Sequence, residues 1–350
     1  MGFRVRVWLL ATVACAIVAF SASGAQAAGF GVEKFVAVNC IEGHEACAEE
    51  KVGETPFGPL QIPKEPTKAE AEAEGYTQAG GRIPFGVSDF IVTHTGDYAK
   101  GEAVPTGIVT HVRTDVAPGL ATSPVAVAQC TQAEFGEKEA VPGTGFYAAP
   151  TCNSEESNPA KDTVIGEEKA TVYAGAAAGD VPLTGHTYNL VPSVGRAAEY
   201  GTALELPKLL TGGLLKQGFE EAEKAGAKPG VGGFPSLAEQ AFLEAQQYYA
   251  HTLIEGNVEW GKEENGTNAG DYHDYFEVVV SPKLPLIRSR LVTYGRRGDG
   301  AFLTNATSCP GHNTTTLKLT TAEGTVSSQY TAPVGLTGCD LVPFEPGFVL

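Results

Sequence analysis

From Gly80 onward the chain alternates apolar and polar positions in short runs between turn residues. Asp89–His94, Gly107–Arg113, Ala170–Tyr173, His186–Val191 and Thr202–Leu206 read as strands, as do His251–Glu255, Tyr275–Val280, Arg288–Tyr294, Thr315–Thr320 and Thr325–Thr331. An earlier run, Phe30–Asn39, has the same character. Period-two patterning in many short segments bounded by glycine and proline predicts paired antiparallel strands. The fold class expected is mainly β, with antiparallel sandwich or barrel-like sheets, long loops and one inserted helical hairpin.

The hairpin is predicted between about residues 208 and 250, where alanine and glutamate replace β-branched residues. A first helix is expected over Leu214–Ala225, because Gly212-Gly213 should delay its start. Ser236 with Glu239 forms a capping-box pattern for a second, whose predicted inward face is Leu237, Ala241, Phe242, Ala245 and Tyr249. Residues 48–75 are polar and contain Pro56, Pro59, Pro63 and Pro66, which predicts a long surface loop. Thr67–Glu74 within it favours a short exposed helix that Gly75 stops.

The N-terminus reads differently. Arg4 and Arg6 precede an uncharged stretch, Val7–Phe20, and Ala25-Gln26-Ala27 has the form of a signal-peptidase site. That stretch is shorter than the ~20 residues a membrane-spanning helix needs, and no later run of the chain is long enough. Residues 1–27 are therefore expected to be a signal peptide, 28–79 an N-terminal strand with a disulfide loop and a polar loop, and 80–350 the β-rich body. Export to the medium or the cell surface suits the cysteines: once Cys15 leaves with the signal, six remain. Six cysteines allow about 15 pairings. The simplest is sequential, Cys40 with Cys47, Cys130 with Cys152 and Cys309 with Cys339. Their spacing does not match zinc-binding pairs.

Charge narrows the partners. Lys and Arg number 24 against 41 acids, a formal −17, and such a surface is a poor partner for nucleic acid. Nucleotide-binding glycine loops, H-E-x-x-H, C-x-x-C and G-x-S-x-G are missing from the sequence.

Three clusters hold candidate chemistry. Asp271, His273 and Asp274 lie in a polar-aromatic stretch after an Asn/Gly-rich turn; they suit either a solvated turn or an oxygen-rich calcium or small-ligand site. His251, Glu255 and Glu259 fall at even separations, hence on one strand face, with Trp260 adjacent. Two carboxylates beside an aromatic suit a glycosidase, or are simply solvent-facing. His111, Arg113 and Asp115 also alternate and suit an ion pair or an anion site.

Phe30-Gly-Val-Glu-Lys-Phe, Arg113-Thr-Asp-Val-Ala-Pro-Gly119, Gly145-Phe-Tyr-Ala-Ala-Pro-Thr-Cys152, His251–Trp260 and Leu341-Val-Pro-Phe-Glu-Pro346 together resemble long exported, multi-module, uncharacterised proteins of high-GC soil actinobacteria. That resemblance implies further modules past Pro346 and brings no activity or catalytic residue with it. The expectation is an exported surface or extracellular module that binds, adheres or supports, its partners being cell-envelope or extracellular glycans or proteins. The alternative is an extracellular hydrolase of polysaccharide. No catalytic residue, metal centre or cofactor is assigned.

Overall fold

The computed structural model describes residues 29–136, 138–141, 144–154, 158, 161–260, 272–298, 300–309 and 313–342. The expected signal peptide, Asp271 and the segment from residue 343 onward lie outside the described residues.

Eleven long strands form one antiparallel path. In chain order they are β1 (Val32–Cys40), β2 (Phe85–Val92), β3 (His111–Asp115), β4 (Val164–Tyr173), β5 (Asp180–Leu190), β6 (Ala198–Leu206), β7 (Tyr248–Trp260), β8 (Tyr272–Val279), β9 (Leu286–Tyr294), β10 (Thr314–Thr321) and β11 (Gly324–Thr331). Their order in the sheet is β1-β2-β9-β4-β5-β6-β7-β8-β3-β10-β11. Two short strands, Glu139–Val141 and Phe146–Tyr147, attach beside β7. The sheet curls until its edges face each other: Phe35 of β1 meets Tyr330 of β11 edge to face, with ring centroids 6.5 Å apart. The result is a nearly closed barrel, as the expected fold class allowed. β1 pairs along its length with β2, so one sheet runs across residue 80.

Each end of the barrel is covered. At one end Ile83, Phe302 and Leu303 pack on Tyr200, Ile254 and Ile165. At the other lies the helical hairpin, α3 (Lys208–Lys224) and α4 (Leu237–Ala245), following two short helices, α1 (Lys68–Glu74) and α2 (Gln132–Phe135). The hairpin joins the paired strands β6 and β7 at the Leu206–Tyr248 register position, and Leu215 of α3 is buried in the same apolar cluster as those two residues.

Two hairpin expectations need correction. α3 starts at Lys208, six residues before Leu214. Gly212 is accommodated because the Glu244 carbonyl of α4 comes within 2.9 Å of where its Cβ would stand. In α4 the expected inward face points out: Leu237 and Phe242 are 67% and 64% exposed. Gln240 is buried instead, its amide donating to Glu223 Oε1 and the Pro235 carbonyl. Tyr249 belongs to β7 rather than to the helix. The capping box at Ser236 is present as read, as are α1 and its stop at Gly75.

The expected polar loop 48–75 is largely ordered. Glu49–Thr55 pairs with Gly58–Pro63 as a β-hairpin laid over the outside of the barrel. Arg288, Arg290 and Lys169 of the barrel wall hold its Glu49 there. Glu49 Oε1 accepts from Arg288 at 2.8 Å, and Asp89 accepts two hydrogen bonds from Arg288 at 2.9 and 2.5 Å and a third from Arg290 at 3.1 Å. Arg290 also donates to the carbonyls of Glu45 and Cys47. The three disulfides pair as expected, with Cα–Cα distances of 6.6, 5.5 and 5.8 Å for Cys40–Cys47, Cys130–Cys152 and Cys309–Cys339. Closing loops of this length constrains the unfolded chain by about 2–4 kcal/mol each.

Candidate functional site

Strand alternation sorts the side chains of β2, β9, β4 and β5 into two sets. Register places Ala37, Ser88, Leu291, Glu168 and Gly185 in one row across five strands. The neighbouring row toward the hairpin holds Phe35, Phe90, Ser289, Ala170 and Leu183. These rows face inward, onto a cavity of about 2030 Å³. Its walls are mostly apolar, with Phe90, Leu183, Leu204, Ile254, Phe276 and Leu291 among them. Ser88, Ser289 and Leu291 are only half-buried because they border this space. The volume exceeds the ~300–1,000 Å³ of an ordinary small-molecule pocket.

One ionisable group stands deep in this lining. Glu168 is 8% exposed, and Ser289 donates a hydrogen bond to its Oε1 at 2.7 Å. Burial pushes its carboxyl up to about 7, against the Ser289 hydrogen bond; Asp89 adds to the rise, and Arg288 and Arg290 oppose it from the other side of the sheet. Opposite it in register is Gly185, where a Cβ would meet the Ala203 carbonyl at 1.9 Å, so that position stays bare. Nearby, Thr187 and Thr202 hydrogen-bond each other at 2.9 Å. Toward the closed end a second carboxyl, Asp274, accepts from the Thr122 amide at 3.2 Å, and burial pushes it up too.

Glu168 was not among the residues singled out from sequence. The sequence pattern starts this strand at Ala170, two residues past Glu168. Extending the alternation of Ala170 and Val172 backward by one step puts Glu168 on the apolar face, which is the signal that was available.

The residues that were singled out fall mainly on the outside. Glu255 and Glu259 share the outer face of β7, as their even spacing requires, while Trp260 turns to the opposite face and meets Tyr272 with centroids 4.8 Å apart. Four residue steps along the strand put the Cα atoms of the two acids about 13 Å apart. Each is also taken by an arginine: Arg196 reaches Glu255 at 2.5 Å, and Arg113 pairs with Glu259. Both acids thus serve ion pairs on the outside of the barrel. His273 and Asp274 separate by alternation, His273 outward and Asp274 inward.

His273, Glu259 and Asp115 do come together, with ligand atoms within 4.8 Å of one another. The space between them is occupied by protein cations. Arg113 donates to Asp115 and Glu259 and lies 3.9 Å above the Tyr275 ring, and Lys318 reaches Asp115 at 3.5 Å. Burial pushes the Asp115 carboxyl up, but hydrogen bonds from Arg113 and His273 and the neighbouring positive charges together bring it below the usual range. The cluster thus fits a salt-bridge network, the ion-pair alternative for Arg113 and Asp115, better than a calcium or zinc centre. His251 stacks between Phe135 and Tyr147, at 4.5 and 4.6 Å, with Nδ1 3.0 Å from the Gly136 carbonyl oxygen. Burial lowers its pKa, which suits a packed neutral ring.

Comparison with protein-family models, curated proteins and solved structures yields no match. No described helix is long and apolar enough to cross a membrane.

Proposed function

We propose that this chain is an exported binding module that holds a bulky, mostly apolar small molecule inside its barrel. The observation that carries the reading is the cavity itself: about 2030 Å³, apolar-walled, with a buried carboxyl in its lining. A barrel of about eight strands can fill its interior with side chains, whereas wider barrels enclose ligand cavities or channels. Here the inward positions of β2, β9 and β4 are small or polar where filling would require bulk, namely Ser88, Ser289, Ala170 and Gly86. The helical hairpin covers the mouth formed by β6 and β7, which suits a cover for the ligand. Three disulfides and the signal-like N-terminus support export, as does the resemblance to exported actinobacterial chains. The protein or glycan partners expected from sequence would then meet the outside of the barrel.

Titration with a neutral apolar fluorophore, N-phenyl-1-naphthylamine, tests this. The wild-type protein should bind it saturably, and Ala170→Phe, which adds a ring on the cavity wall, should weaken binding by about tenfold or more while keeping the far-ultraviolet dichroism and all three disulfides. Absence of saturable binding, or equal binding by Ala170→Phe, contradicts the proposal.

A further inference from the structure

Resting on that reading, we infer that the ligand is a cationic amphiphile, an apolar body carrying an amine or ammonium group that pairs with Glu168. The charge inventory of the cavity points this way. The acids Glu168, buried, and Asp274, half-buried, stand in its lining, and its histidine, His251, is a ring packed between Phe135 and Tyr147 whose pKa burial lowers. No arginine is found among the described residues lining it. The two lysines in its lining belong to the hairpin end: Lys228 is exposed, and Lys283, between β8 and β9, lies 4.0 Å from Glu139. An anionic head group would therefore enter an interior that supplies no countercharge, and desolvating an unpaired charge is costly. A cation finds one at Glu168, whose neighbours in the lining, Ser88, Ser289 and Leu291, are only half-buried beside the cavity.

The charged groups nearest Glu168 on the packed strands are Asp89 of β2 and Arg288 and Arg290 of β9, all on the outer face of the sheet and engaged with each other and with Glu49. Inside, β9 presents Ser289 and Leu291, β5 presents Gly185 and Thr187, and β2 presents Ser88. The Glu168 carboxyl is thus the charge that an incoming cation can recruit. With a carboxyl that titrates near neutrality, a fixed cation binding below that pH expels the carboxyl proton to solvent: one positive charge enters, one proton leaves, and no bond in the ligand changes.

Three ten-carbon probes below their micelle concentrations separate the outcomes: decyltrimethylammonium, decanol and decyl sulfate. Calorimetry at about pH 6 in two buffers of different ionisation enthalpy should show the ammonium probe binding tightest and releasing close to one proton, the release fading by about pH 8. Glu168→Gln should weaken the ammonium probe by about tenfold or more and leave decanol nearly unchanged, which also separates the site from general attraction to an acidic surface. Decanol or decyl sulfate binding best in wild type, or ammonium binding without proton release and insensitive to Glu168→Gln, overturns the cation assignment and leaves the cavity reading standing. If none of the three binds in a manner sensitive to Ala170→Phe, the cavity reading falls together with it.

Discussion

Asp89 and Glu168 are two buried acids on strands of one sheet, separated only by β9, and they face opposite ways. Asp89 points outward, under the Glu49–Pro63 hairpin, and meets two guanidinium groups. Glu168 points inward and has one serine hydroxyl. Strand β9 between them repeats the contrast along its own length. Its outward residues Arg288, Arg290 and Val292 are buried, and its inward residues Ser289, Leu291 and Thr293 are half-exposed to the cavity. Along β9 the outer side is thus the more closely packed one, and the inner side borders the cavity. Burial raises both carboxyls. What differs is the answer to that burial: a fixed ion network outside, and an unpaired group inside that a ligand can complete.

The largest expected effect lies on the outer side. Asp89→Asn leaves Arg288 and Arg290 short of a counter-ion, and breaking a buried pair by removing one partner costs about 3–5 kcal/mol. Chemical denaturation with the disulfides intact measures this, and a loss below about 1 kcal/mol would erase the distinction between the two faces.

The inner acid should behave in the opposite sense. The folded-state pKa of Glu168, raised from 4.5 to about 7, means that its contribution to stability is fully present below about pH 4.5 and is lost as the pH rises through about 7. Glu168→Gln should therefore match the wild type near pH 4 and exceed it near pH 8, by at most about 3 kcal/mol. A variant destabilised equally at both pH values would show that the carboxyl holds the barrel together.

Much of the fold was legible in the sequence, and the missing part has a definite cause. The strands were visible because β-branched and aromatic runs such as Thr315–Thr320 and Arg288–Tyr294 announce themselves locally. The disulfides followed from order along the chain. The hairpin Glu49–Pro63 was not visible, because the partners that hold Glu49, namely Lys169, Arg288 and Arg290, are distant in the chain. The same distance hid the site. Glu255 and Glu259 looked like chemistry because acids near an aromatic are conspicuous, yet alternation gave Trp260 to the other face and arginines took both acids. Glu168 lies two residues before the run that reads as a strand, and only the closure of eleven strands around it makes it an interior group. Leu237 and Phe242 misled for a related reason: helical periodicity marks an apolar face but not which surface it meets.

A smaller effect sharpens the inner half of the comparison. Ser289→Ala removes the hydroxyl that donates to Glu168, which should cost about 1 kcal/mol near pH 8 and push the carboxyl still higher. In stability profiles from about pH 5 to about pH 9 the declining limb should extend to higher pH in the variant than in the wild type, and coincident limbs would contradict this.

The most direct measurement is infrared difference spectroscopy of the wild-type protein against Glu168→Gln, following the protonated-carboxyl band from about pH 5 to about pH 9. The account predicts a single carboxyl that loses its proton near pH 7, and whose band disappears at lower pH once decyltrimethylammonium is added. A Glu168 band absent across this range, or one that titrates identically with and without the cation, would contradict it.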